Sequence, residues 1–163
     1  MSKTSLKAEE TKRLRQNEKK WTSTLMEAGW TVIPSVIIER QQALGLDPLD
    51  VNIILHLATY WWYSDNLPHP SKKTIAKCIG VDPSTIRRRI AAMEKAGFIK
   101  RIPRKDDKYG QQSNEYQFDG LINSAIPFAE EKIKEKKERK KEDEKRITRK
   151  RPIRLVKSTD END

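Results

Sequence analysis

Within twelve positions the chain places Ser84, Thr85, Arg87, Arg88 and Lys95. Hydroxyls bond phosphate oxygens, and guanidinium forks fit either phosphate or the O6/N7 edge of guanine. Lys72 and Lys73 stand upstream and suit contacts to a phosphate backbone. Downstream come Arg101, Arg104, Lys105 and Lys108, then the amides of Gln111 and Gln112. This is the chemistry of polyanion recognition, nucleic acid being the commonest such partner. Catalytic chemistry is not expected. The single cysteine and two histidines cannot build a Cys/His zinc site, so no metal is expected. The glycine-rich phosphate loops, the nucleophile-elbow pattern and the HExxH pattern are all missing, so neither an enzyme nor a cofactor is expected.

These residues need elements to position them. Asp82 and Pro83 predict a helix start, with Asp82 as N-cap and proline at the first position. At about 100° per residue, Ile86, Ile90 and Met93 fall within about 60° of one another and form a buried stripe. Ser84, Arg88, Ala91 and Lys95 lie opposite; Arg87 is on one shoulder and Arg89 nearer the core edge. The helix N–H groups are expected to add a phosphate site. Only Asp82 and Glu94 stand near in sequence to pair the three arginines, which weakens a salt-bridging reading of Arg87-Arg88-Arg89. Upstream, Ser71 caps a short helix that ends at Gly80. Lys72 and Lys73 in its first turn oppose its own dipole, so local stability does not explain them. Gly80-Val81-Asp82 joins the two helices with the length a helix-turn-helix needs. Its second helix would enter the major groove, roughly 12 Å wide.

The stretch SKKTIAKCIGVDPSTIRRRIAAMEKAGFIKR, residues 71–101, resembles the winged helix-turn-helix superfamily. The resemblance rests on Gly80, Asp82, Thr85-Ile86-Arg87, Ile90, Met93-Glu94 and Gly97-Phe98-Ile99. It is similar to the version in GntR-type regulators and in the winged helix domains of plasmid and phage replication initiators. It covers about residues 47–118. It implies double-stranded DNA as the partner, a recognition helix over 83–96, and a basic wing. Pro83 departs from the family, where many members carry a polar side chain facing DNA. The function implied is transcriptional regulation, with a replication initiator or organiser as the alternative. A protein-interaction module fits less well, because Ser84, Arg88 and Lys95 deny the helix an apolar outer face. An RNA-binding role would rest on the charged tail.

The rest of the chain frames this block. It has 163 residues, a net charge of +10, 35% hydrophobic and 36% charged residues. Part of it therefore lies outside any core. Residues 66–110 carry +8, while residues 21–65 carry −4. Residues 1–20 read as a mobile basic arm, residues 21–129 as the winged helix domain with an N-terminal extension, and residues 130–163 as a charged tail. The fold class expected is mainly α with a small β-hairpin.

Asp47-Pro48-Leu49-Asp50 starts a helix through an apolar run, and Asn66 to Pro70 breaks it. His56 reads as a core or boundary residue, and Trp61 and Trp62 as core or dimer-contact aromatics. Cys78 reads as a small packing residue. FIKRIPRK predicts a strand with Phe98, Lys100 and Ile102 on one face, and NEYQF the returning strand. Sixteen of the seventeen residues over 130–146 are charged, so this segment is either disordered or a solvated helix with pairs such as Glu130–Lys134 and Glu135–Arg139. One cysteine fits a reducing, cytoplasmic compartment, and no apolar run is long enough for a membrane partner. A homodimer is compatible with the pattern.

Overall fold

The computed structural model describes residue 12 and residues 14–148, and the chain divides into two units at Ile126/Pro127. Residues 1–11, 13 and 149–163, which hold most of the basic arm and the basic end of the tail, lie outside the described residues. Residues 14–21 are helical and mostly exposed. Two short helices follow, α1 (Ser23–Glu27) and α2 (Ser35–Glu39); α2 buries Val36 and Ile37.

Helix α3 (Pro48–Ala58) starts where the sequence says. The Asp47 carboxylate accepts the Leu49 and Asp50 N–H groups at 2.9 Å, and Asp50 accepts the Asp47 N–H at 3.1 Å. This reciprocal capping satisfies donors that otherwise have no partner in the first turn. Val51, Ile53, Ile54 and Leu57 are buried, and His56 is half-buried. The helix ends before the aromatic run does. The Thr59 hydroxyl donates to the His56 carbonyl at 2.8 Å, and the chain turns. Trp61 stacks on Phe118 with centroids 5.3 Å apart, whereas Trp62 is 58% exposed and is no core residue.

Helix α4 (Lys72–Ile79) is capped by Ser71, whose hydroxyl accepts the Thr74 N–H at 3.0 Å. It buries Ile75 and Ala76 and stops at Gly80, which takes φ +81°. A residue with Cβ is strained there, which is why glycine suits the stop. Cys78 is exposed, which corrects its reading as a packing residue. It follows buried Ile75 by three positions, but α4 is only two turns long and packs by one edge.

Helix α5 (Pro83–Lys95) buries Ile86, Ile90 and Met93 at 0–2% exposure, as the helical phase requires. It packs with α3 and α4. The hairpin that follows is broken into two ladders. β1 (Lys100–Ile102) pairs antiparallel with β4 (Glu115–Gln117), with Arg101 opposite Tyr116; β2 (Lys105–Asp106) pairs with β3 (Gly110–Gln111). Pro103, with no N–H to give, stands between them. The inward residue at the start of the strand is Ile99, 3% exposed, and not Phe98. The expected face is therefore reversed, so that Ile99 and Tyr116 face the core and Lys100 faces out. Tyr116 donates its N–H to the Pro68 carbonyl at 2.9 Å, docking the hairpin on the segment that broke the helix.

Helix α6 (Asp119–Thr148) begins eleven residues before the charged run, with Leu121 and Ala125 buried. Its Leu121 N–H donates to the Phe98 carbonyl at 2.8 Å. A Cβ at Gly120 would lie 1.7 Å from the Gly97 carbonyl oxygen, so only glycine permits this approach. Residues 130–148 are helical and exposed, which resolves the choice between disorder and a solvated helix. Glu135–Arg139 at 3.9 Å and Asp143–Arg146 at 3.8 Å are the pairs formed along it. Exposed pairs of this kind add only about 0.3–0.5 kcal/mol each.

Candidate nucleic-acid interface

The interface is built on α5. Ser84, Arg87, Arg88 and Lys95 are exposed, and Thr85 is half-buried. Neither Arg87 nor Arg88 forms an ion pair with any described residue, so both guanidinium groups are available. Arg89 differs. Its Nε donates to Asp50 at 2.8 Å, and its Nη2 bonds both Asp50 and Asp47. Hydrogen bonding to Asp50 raises the Arg89 pKa further above its ordinary value. The three consecutive arginines thus divide into two that face outward and one that fastens α5 to the N-terminus of α3.

The first turn of α5 does not offer free N–H groups. Pro83 has none, and the Asp82 carboxylate accepts the Ser84 N–H at 2.7 Å. Thr85 and Ile86 donate to the Asp82 carbonyl at 3.0 and 3.4 Å. Hydrogen bonds from Ser84 hold the Asp82 carboxyl below its ordinary pKa. The expected phosphate site at this helix terminus is therefore already filled by an anion of the chain's own. The Ser84 and Thr85 hydroxyls remain.

Lys72 is half-buried and Lys73 exposed at the start of α4. Burial lowers the Lys72 pKa, and repulsion from Arg101 and Arg87 lowers it further. That coupling brings together charges from α4, α5 and the wing into one electropositive region. Arg101 also has a second role. Its backbone N–H and Nε donate to Glu94 at 3.0 and 2.6 Å, and its Nη2 completes the pair. The hydrogen bond from Arg101 is the main reason the Glu94 pKa lies below its ordinary value. Arg101 is thus a strut between α5 and the wing, placed there by the reversed face of β1, and is not a free wing cation.

In the wing, Arg104 lies 3.4 Å from Glu115, and Lys105 and Lys108 are exposed. The Gln111 amide donates to the Arg104 and Gln112 carbonyls at 3.0 and 3.2 Å, and the half-buried Gln112 donates its N–H to the Arg104 carbonyl at 3.0 Å. Both glutamines shape the wing. At the tip, Asp106 accepts the Lys108 and Tyr109 N–H groups at 2.9 Å. Tyr109 is 71% exposed, with the Lys108 ammonium 5.4 Å over its ring. Sequence reasoning passed over this aromatic, although a lone tyrosine in a polar tip was a signal available to it.

A family model described as "Helix-turn-helix domain" matches residues 44–99. No curated protein matches the sequence. Among solved structures, the crystal structure of the N-terminal domain of DnaD protein from Geobacillus kaustophilus HTA426 is similar at 14% identity and a TM-score of 0.51. The similarity covers 73% of this chain and 96% of that one. At that identity the likeness is one of fold. With α4 and α5 joined by a three-residue turn and a hairpin docked behind them, the chain is built on a winged helix-turn-helix, a DNA-binding fold.

Proposed function

We propose that the chain binds double-stranded DNA with sequence preference and acts in transcriptional regulation. Helix α5 enters the major groove, Arg87 and Arg88 meet base edges or phosphates, and Lys72 and Lys73 hold the backbone. Lys105 and Lys108 on the wing reach the neighbouring groove. One observation carries this reading: Arg87 and Arg88 are exposed and unpaired while their neighbour Arg89 is tied down by Asp50. Free adjacent guanidinium groups on a rigid helix suit bidentate contacts to guanine. In this reading the protein is a cytoplasmic binding protein and not a catalyst.

Selection from a random duplex pool tests it. A reproducible motif is expected, and two half-sites about 10 base pairs apart would identify a homodimer. A promoter bearing that motif should then change its output in a purified transcription reaction when the protein is added. A pool that emerges without enrichment overturns sequence preference, and an indifferent promoter overturns regulation.

A further inference from the structure

The first unit holds an apolar trough of about 320 Å³ at α2, the end of α3 and the start of α6. Its walls include Ile37, Ile54, Trp61, Phe118, Leu121 and Ile122. Every lining residue is apolar or aromatic, and Trp61 alone carries a polar side-chain atom. Trp61 also lines a second hollow beside Trp30 and Trp62, so the trough continues along its ring.

The Trp61 Nε1 is buried and has no hydrogen-bond partner among the described residues. Stacking on Phe118, with 5.3 Å between centroids and 20° between planes, holds the ring in place. A buried donor without an acceptor is costly, and native structures almost always provide one. Three constraints on an occupant follow. Its surface must be apolar, to match the walls. It must bring one acceptor, for the indole N–H. It must be neutral, because none of the lining residues carries a charge to offset a buried carboxylate. A dry cavity of about 150 Å³ accommodates benzene, so this volume suits a molecule about twice that size.

We infer that the trough is a binding site for a small neutral compound, a bicyclic ring or short acyl chain, whose single carbonyl oxygen accepts from Trp61 Nε1. The site is separate from the residues proposed to face DNA, and its existence does not rest on that reading.

The test uses 2-acetonaphthone and its acceptor-free isostere 2-isopropenylnaphthalene, each titrated into the full-length ¹⁵N-labelled protein. The indole N–H signals are assigned with single Trp→Phe variants. The carbonyl compound should shift the Trp61 signal downfield and bind about tenfold more tightly than the isostere, the weight of one buried hydrogen bond. Trp61→Phe keeps an aromatic ring beside Phe118 and should remove that preference. Ile122→Asp, an exposed position in the first turn of α6 where a negative charge is tolerated, should weaken both compounds. Equal affinity for the two compounds overturns the inference, as does a Trp61 signal that stays put to the solubility limit. A trough closed by a second copy of the chain also overturns it, and would appear as a dimer in sedimentation equilibrium with the compound excluded.

Discussion

The Arg89 guanidinium donates to the Asp50 carboxylate across 39 positions of sequence, with Nε to Oδ1 at 2.8 Å. Asp50 is 3% exposed, and it also helps cap α3. One side chain therefore joins the start of α3 to the middle of α5. This fixes the rotation of α5, and with it the direction in which Arg88 points.

Removing one partner of such a pair leaves a buried charge. Arg89→Ala should cost about 3 kcal/mol in urea unfolding, whereas Arg88→Ala should stay within about 0.5 kcal/mol of the parent. Similar losses for both would mean the two arginines have been given the wrong faces.

Gly120 should tolerate no side chain. Its Cβ would lie 1.7 Å from the Gly97 carbonyl, which is backbone and cannot turn aside. Gly120→Ala should destabilise by about 3 kcal/mol or more and lower the thermal midpoint clearly. A midpoint within error of the parent would contradict the docking of α6 on the Gly97–Phe98 turn.

Glu94 should give stability a distinct acid dependence. Its folded pKa lies below the ordinary 4.5, so the contribution is present above that value and is lost as pH falls through the folded pKa. Glu94→Gln should therefore cost about 1 kcal/mol at neutral pH, and the gap should close towards acid. A gap that is constant from pH 7 to pH 3 would remove the ion pair from the account.

These contacts also mark what the sequence made legible. Asp47-Pro48, Ser71, Gly80 and Asp82-Pro83 act within one turn of themselves, so both caps and both helix starts can be read directly. The stripe of Ile86, Ile90 and Met93 follows from the helical period alone. Arg89–Asp50 and Arg101–Glu94 join separate elements, and no local pattern announces them. Phe98 and Ile99 are both apolar, so the facing of β1 is decided by the core and not by alternation. The start of α6 was hidden because Asp119 and Gly120 read as a turn after the strand. What makes them a helix start is backbone packing against Gly97. The folded unit was thus open to sequence reasoning wherever signals were local. The division of labour among its cations was not.

The charged C-terminal segment should add affinity without specificity. Truncation after Phe128 removes fourteen basic residues and keeps buried Leu121 and Ala125. Binding to all duplexes should weaken alike, with the log-affinity versus log-salt slope reduced by roughly two to five units of about 0.9 each. An unchanged slope would leave the tail without a part in DNA binding, and a lost motif would move recognition out of α5.

The central claim is that α5 reads DNA, and Arg88 tests it most directly. Affinity of Arg88→Ala should be measured on the selected duplex and on random duplex at one fixed salt concentration. A loss of about 1–3 kcal/mol on the selected site, with little change on random DNA, is the predicted result. No loss on either duplex would contradict the account, because it would take the outward face of α5 out of the interface.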